Sequence, residues 1–296
     1  MPDCTISPNT VERVGADAWQ ARLALGFADA AGTTRLTERV HSGPLRVQKA
    51  LYPEGGAVCH AIVVHPPGGV VGGDQLSITA RVGDHARAFL STPGAAKWYK
   101  ANGQCSGQRV ALHAGLDASI EWMPQESIFF DQAEVALEHE VTLAAGAVYI
   151  GCEILCLGRR ASGETFKSGK ITQRSAIRRD GRLIWWEQGA LQGAGALQRS
   201  ALGFDGRSVC ATLIAAGAPA CAPACAPLTA AALAGLREIA AGGDARFGVT
   251  QTKDVLVARY LGDDSEAARR AMLEVWRRVR PHFIGRVGLV PRIWNT

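Results

Sequence analysis

The sequence predicts a mainly β protein: a large multi-stranded scaffold of stacked sheets, β-solenoid-like, with a few helices, two of them near the C-terminus. Three observations predict it. Apolar and polar residues alternate with a period of two through much of the first two thirds of the chain. Asn-Gly and Asp-Gly pairs punctuate the strand-like runs. Helix-period stripes with caps stand out only near the end.

The alternation is clearest in two runs. Trp19, Ala21, Leu23, Leu25 and Phe27 alternate with Gln20, Arg22, Ala24 and Gly26, and Val135, Leu137, His139, Val141 and Leu143 alternate with Ala136, Glu138, Glu140 and Thr142. Each run turns one face to a core and the other to solvent or a further layer. Asn102-Gly103 separates residues 97–101 from a run ending in Val110 and Leu112. Asp180-Gly181 separates residues 170–178 from 183–187, and Asp205-Gly206 precedes 209–214. These pairs favour the left-handed conformations of two-residue hairpins, so an antiparallel or mixed architecture is expected.

Two helices are expected after residue 228. Thr229 is placed to cap residues 230–241, with Leu233, Leu236 and Ala240 on one stripe and Gly242-Gly243 as the stop. Asp263 with Glu266 resembles a capping box for the second, and Pro281 is expected to end it. Its apolar stripe is Ala268, Met272, Val275 and Val279. Residues 215–227, AAGAPACAPACAP, are too proline-rich for a helix and read as a surface linker. The expected division is therefore a tail (1–18), a β-rich body (19–214), the Ala/Pro linker (215–227) and a C-terminal part with two helices and a strand (228–296).

Composition bounds the function. A chain of 296 residues buries a sizeable core as one large or two modest domains. Hydrophobic residues at 47% and charged ones at 20% fit a globular rather than a disordered chain. The net charge of +5 comes from Lys and Arg that are scattered apart from the C-terminal segment, with no recognised module, so no nucleic-acid partner is expected. No apolar run approaches the ~20 residues of a membrane span, and the N-terminus lacks a signal pattern, so a cytoplasmic protein without a membrane partner is expected. Eight Cys are too sparse for a disulfide scaffold and read as free thiols, many of them buried.

Four segments stand out. Residues 65–74, HPPGGVVGGD, place two prolines and two glycine pairs after an apolar strand, with Asp74 at the exit. A phosphate loop is excluded because no Gly-Lys-Ser/Thr follows. A dinucleotide loop is excluded by the glycine spacing. Residues 91–99, STPGAAKWY, carry a turn and then Lys97 before two aromatics. In residues 121–131, EWMPQESIFFD, Glu126 and Asp131 are five apart, so a strand would point them to opposite faces and no glycosidase pair forms.

The fourth segment, residues 149–163, YIGCEILCLGRRASG, holds Cys152 and Cys156. On one strand face they lie ~13 Å apart, too far to share one ion. Glu153 stands alone between apolar neighbours, where a carboxylate needs a partner or water. Glu187 after Trp185-Trp186 raises the same question, and His139 on an apolar face reads as a satisfied core histidine. There is no serine elbow, HExxH or EF-hand loop, and His139-Glu140 lacks a second His four residues after the first. No nucleophile and base assemble, so no enzyme is expected.

Taken in order, HPPGGVVGGD, STPGAAKWY, EWMPQESIFFD, CEILCLGRRASGE (152–164) and the terminal PRIW (291–294) resemble the urease accessory protein UreD family, called UreH in some organisms. WQARLALGF (19–27) and GPLRVQK (43–49) fit as well, so the resemblance spans roughly residues 19–296. It implies a mostly β, non-enzymatic maturation factor. Such a protein binds a UreF-type partner, joins the UreG-type GTPase, docks on apo-urease and assists nickel insertion. The nickel is transient cargo, with no tightly bound cofactor.

A passage must hold its ion weakly, so dispersed carboxylates suit it better than a closed Cys/His cage. Asp74, Glu126, Asp131 and Glu153, which sit in the family-like motifs, and Glu187 are the candidate path residues. The Cys221/Cys225 linker is not a family pattern, and no role is carried onto it. Two rival readings stand beside this one: a pure scaffold with no ion passage, and a hydrolase on a β scaffold.

Overall fold

A computed structural model describes residues 18–217 and 228–295. The N-terminal tail up to residue 17, and Cys221 and Cys225 of the linker, lie outside the described residues. The alternation at residues 19–27 becomes β1 (Gln20–Ala30), with Leu23, Leu25 and Phe27 buried and Arg22 exposed. The chain continues through β2 (Thr33–Ser42), β3 (Arg46–Leu51), β4 (Cys59–Val64), β5 (Gln75–Val82), β6 (Arg87–Ser91), β7 (Ala96–Trp98), β8 (Ser106–Ala114), β9 (Ser119–Trp122) and β10 (Ser127–Phe129). Then come β11 (Glu134–Leu143), β12 (Val148–Leu157), β13 (Lys170–Arg179), β14 (Arg182–Gln192), the short α1 (Ala196–Arg199) and β15 (Val209–Ala216). The described chain closes with α2 (Ala230–Arg237), β16 (Arg246–Thr252), β17 (Val255–Gly262) and α3 (Ser265–Ile284).

Among the described residues the strands form two sheets. The first runs β14-β13-β11-β8-β5-β1-β2; the second runs β16-β17-β15-β12-β9-β6-β4-β3, with β7 and β10 to one side. In the first, β1, β5, β8, β11 and β13 pair in parallel. In the second, so do β4, β6, β9 and β12. From β4 to β13 the chain alternates between the sheets, so each coil lays a strand in both and stacks on the coil before. This is the stacked-coil, β-solenoid-like scaffold that the sequence predicts. Antiparallel pairs finish its ends: β1 with β2 and β3 with β4 at one, β13 with β14 and the run β12-β15-β17-β16 at the other.

The four motif segments are equivalent corners of successive coils. Val70 exchanges hydrogen bonds with its neighbour coil, accepting from Tyr99 N at 2.9 Å and donating to Lys97 O at 2.8 Å. Ala96 N donates to Glu126 O, Phe130 N to Trp98 O and Gly158 N to Phe129 O. A narrow parallel ladder results, with β10 between β7 and the end of β12.

Turn chemistry and pairing separate at one place. Asn102 and Gly103 are left-handed, at φ 52° and 82°. Yet they do not close a hairpin, because β7 and β8 lie in different sheets. The turn carries the chain across the corner. Asp180-Gly181, at φ 47° and 77°, does join the antiparallel β13 and β14. Local residues fix the bend; the partner comes from stacking.

Two cores follow. One fills the space between the sheets, with Leu25, Ile78, Leu112 and Val141 facing Ala61, Leu90 and Ile120. The other lies between the outer face of the second sheet and α3, whose Met272, Val275, Trp276 and Val279 pack on Ile150, Ile154 and Leu213. The cap of α3 is Asp264 rather than Asp263: it accepts from Glu266 N at 2.8 Å and Ala267 N at 3.0 Å. Asp263 instead holds Ser208 and Arg207. Nor does Pro281 end the helix. In the last turn a proline forfeits a single backbone bond, and continuing buries Phe283 and Ile284 before Gly285, at φ 74°, closes it.

Helix α2 is capped by Thr229 as expected but stops at Arg237, short of residue 241. Strand β15 runs on to Ala216, two residues into the Ala/Pro segment, and β17 pairs along its length. The chain after residue 228 thus continues the second sheet and supplies its helical cover. Among the described residues no helix is long and apolar enough to cross a membrane.

Candidate functional site: a cleft between the sheets

Strand alternation decides which side of β12 each residue takes. Ile150, Cys152, Ile154 and Cys156 face the helical layer, while Tyr149 and Leu157 face the first sheet. Glu153 therefore projects into the space between the sheets. From the other side β11 supplies His139, β13 supplies Gln173 and Ser175, and β14 supplies Glu187.

The sheets part here around two adjoining spaces. The wider is a cleft of about 190 Å³, lined among others by Glu153, Gln173, Glu187, Cys210, Thr212 and Arg259. The inner chamber measures about 30 Å³ and meets His139, Tyr149 and Ser175. Glu153, Gln173, Glu187 and Thr212 line both. The chamber is large enough for a water-sized particle, which needs roughly 10–15 Å³.

Gln173 Nε2 donates to Glu153 Oε2 at 2.5 Å. The Glu153 side chain keeps 27% of its surface accessible, and it lines both spaces. Desolvation pushes its carboxyl up to about 7, against the Gln173 hydrogen bond, and the nearby Glu187 adds to the rise. His139 Nε2 meets Tyr149 Oη at 2.8 Å. Its Nδ1 lies 3.9 Å from Glu153 Oε1 and has no hydrogen-bond partner. Burial pushes this imidazole down to about 4, so it is neutral at pH 7. Glu187 pairs with Arg259 at 2.6 Å, bridging β14 of one sheet and β17 of the other across the cleft.

Of the five carboxylates singled out in the sequence, Glu153 and Glu187 come together on this cleft. The other three sit elsewhere. Asp74 is buried at the foot of its loop and accepts from Trp19 N at 2.8 Å and Val71 N at 3.1 Å. Glu126 takes Arg269 Nε of α3 at 2.7 Å. Asp131 accepts from Lys167 N and Ser168 N, both at 2.8 Å. Desolvation raises its carboxyl, but those donors win and hold it below the usual range.

Sequence reasoning passes over two features. His139 reads as a satisfied core histidine, and only its Nε2 is. Arg280 follows Met272 and Trp276 at steps of four, a charge on the apolar stripe, and that was the available signal. Its guanidinium is fully buried and meets Glu121 and Glu54. Cys59, Cys152, Cys156 and Cys210 are free thiols, whereas Cys105 is disulfide-bonded, against the expectation that all eight are free. Among the described residues no group of three or more His, Cys, Asp or Glu is placed to hold an ion.

Fold and cleft together define a class: a two-sheet stacked-coil scaffold with a helical layer on one outer face and an acidic space between its sheets. Comparison with known proteins supplies the family. The family model of the UreD urease accessory protein matches residues 20–295. The urease accessory protein UreD of Janthinobacterium sp. (strain Marseille) is 61% identical over 281 residues, covering 94% of this chain and 92% of that protein. Its counterpart in Nitrosospira multiformis is 51% identical, covering 94% and 98%, and that of Dechloromonas aromatica 48%, covering 94% and 95%. The chain belongs to the UreD family of urease accessory proteins.

Proposed function

We propose that the protein acts in the cytosol as a non-catalytic urease maturation factor, and that nickel reaches apo-urease by way of the cleft. A UreF-type protein and a UreG-type GTPase are its partners in that complex, and nickel is its cargo. Family membership supports the maturation role. One observation carries the passage: Glu153 and Glu187, from different sheets, both line the cleft and the chamber beside it in an otherwise apolar interior.

The chemistry suits transit. Nickel accepts nitrogen and oxygen donors, and a path must release what it binds. Spaced carboxylates with Gln173 and Thr212 between them give weak, successive holds. The rival reading, a scaffold through which no ion passes, draws its support from Asp74, Glu126 and Asp131, whose carboxylates hold loops and α3.

Single Ala variants of Asp74, Glu126, Asp131, Glu153 and Glu187, and the combined variant, separate the two. Urease nickel content and partner binding are measured independently. Transit requires the Glu153 and Glu187 variants to lower nickel content while partner binding holds. Normal nickel loading in those two and in the combined variant sinks it.

A further inference from the structure

We propose that His139 and Glu153 form a binding station for a single divalent transition-metal cation in the inner chamber, with Tyr149 as the positioning residue that orients the imidazole. The station deepens the transit reading and rests on it for the route by which an ion arrives. Binding itself belongs to this chain alone.

The first observation is an atom left over. The His139 side chain is only 8% exposed, and its Nδ1 reaches no donor or acceptor. Buried polar atoms are nearly always partnered, so an orphan nitrogen on a residue that lines a chamber asks for a partner. The chamber that His139 lines has room for a water-sized particle.

The second observation is how the ring is held. Tyr149 Oη fixes Nε2 at 2.8 Å, which leaves Nδ1 as the nitrogen turned to Glu153. Ligating imidazoles are characteristically held this way through the other nitrogen. Tyr149 reaches it because residue 151 is glycine: a Cβ there would lie 1.8 Å from Tyr149 Oη and 2.3 Å from its Cζ. A glycine in a buried strand otherwise weakens it, and close approach by another group is its usual reason.

The third is spacing. Nδ1 and Glu153 Oε1 are 3.9 Å apart. Two donors bound ~2.1 Å from one ion lie roughly 3.0 to 3.4 Å apart at octahedral or tetrahedral angles, so the pair closes on an ion with a side-chain shift of about half an ångström to one ångström. An imidazole nitrogen and a carboxylate oxygen suit nickel, cobalt or zinc better than magnesium or calcium. Gln173 fixes the second carboxylate oxygen, and the Ser175 and Thr212 hydroxyls line the same chamber. Two charged or basic donors are too few to trap the ion, as a point of passage requires.

The test is nickel binding by the full chain, with Cys221→Ser and Cys225→Ser removing linker thiols. Calorimetry with Ni²⁺ alone reads affinity and stoichiometry; X-ray absorption reads the donor set. The parent is expected to bind one ion with nitrogen and oxygen donors, one of them an imidazole. His139→Gln keeps an amide near Tyr149 but removes Nδ1. Glu153→Gln removes the anionic oxygen. Each is expected to weaken binding at least ~10-fold, and Tyr149→Phe to weaken it by ~10-fold through the orienting bond. Circular dichroism shows which variants are folded; should His139→Gln fail, the other two give the same reading. No ion bound by the parent, or unchanged affinity in folded Glu153→Gln and Tyr149→Phe, overturns the station. Urease activation in the same variants keeps the two ideas apart. Lost activation with unchanged affinity overturns the station and leaves transit standing. Weakened binding with normal activation upholds the station and removes it from the path.

Discussion

Arg280 and Glu121, 159 positions apart in sequence, meet in the core beneath helix α3, with Arg280 Nε 3.0 Å from both carboxylate oxygens. Trp276 Nε1 donates to the same carboxylate at 2.7 Å. The guanidinium also holds Glu54 at 2.7 and 2.9 Å, and Glu54 meets His60 at 2.7 Å. The cluster thus ties α3 to β9 and to the chain entering β4. Arg280→Met leaves two buried carboxylates without their cation, so it is expected to cost roughly 3–5 kcal/mol. Adding Glu121→Gln should recover part of that loss, because it removes one uncompensated charge. Urea unfolding of the three proteins measures both; a loss below ~1 kcal/mol in Arg280→Met would mean that packing alone seats the helix.

The corner ladder makes a different demand, on space. A Cβ at Gly72 would lie 1.7 Å from the carbonyl oxygen of Ala101, a backbone atom that cannot step aside without moving the next coil. Gly94, in the neighbouring motif, has nothing within 4 Å of its Cβ position. Gly72→Ala is therefore expected to destabilise by more than ~2 kcal/mol, and Gly94→Ala to stay within ~0.5 kcal/mol. Thermal unfolding of the pair decides it: equal midpoints would mean that the corners do not bear on one another.

These cases mark what the sequence carries. Alternation shows which residues of β1 and β11 face inward, because the period of a strand is local. Thr229 shows where α2 begins for the same reason. Parallel stacking is not local. Nothing near Asn102-Gly103 distinguishes a hairpin from a crossing between sheets. HPPGGVVGGD reads as a tight turn, and its tight packing becomes legible only when Ala101 arrives from another coil. In the site, Glu153 is conspicuous as a lone carboxylate among apolar neighbours, whereas His139 is hidden by an alternation it fits perfectly well. Its open nitrogen depends on Tyr149, a residue of the opposite sheet.

Glu153 gives stability an alkaline dependence. Its ordinary pKa of 4.5 rises to about 7 on folding because the ion is desolvated. A carboxyl raised on folding contributes fully below its unfolded value. That contribution is lost as pH climbs from 4.5 through 7. In metal-free buffer the wild type is expected to fall behind Glu153→Gln over this window, by on the order of 2–3 kcal/mol above pH 7. Chemical denaturation at pH 5 and pH 8 reads the difference. A gap that is equal at both pH values would show that the group titrates normally.

The thiols separate by environment. Burial pushes Cys152 and Cys156 up to about 12, under α3, while Cys210, on the wall of the cleft, rises to about 11. Only the thiolate attacks an alkylating reagent or binds a metal ion. At pH 8 a thiol of pKa 12 is ionised to about one part in ten thousand, and one of pKa 11 to about one in a thousand. Cys210 also faces an open space, and Cys152 and Cys156 do not. Native-state labelling with iodoacetamide, mapped by mass spectrometry, should therefore modify Cys210 ahead of the other two, and those two only after unfolding. Equal rates for the three would mean that α3 lifts from the sheet in the native state.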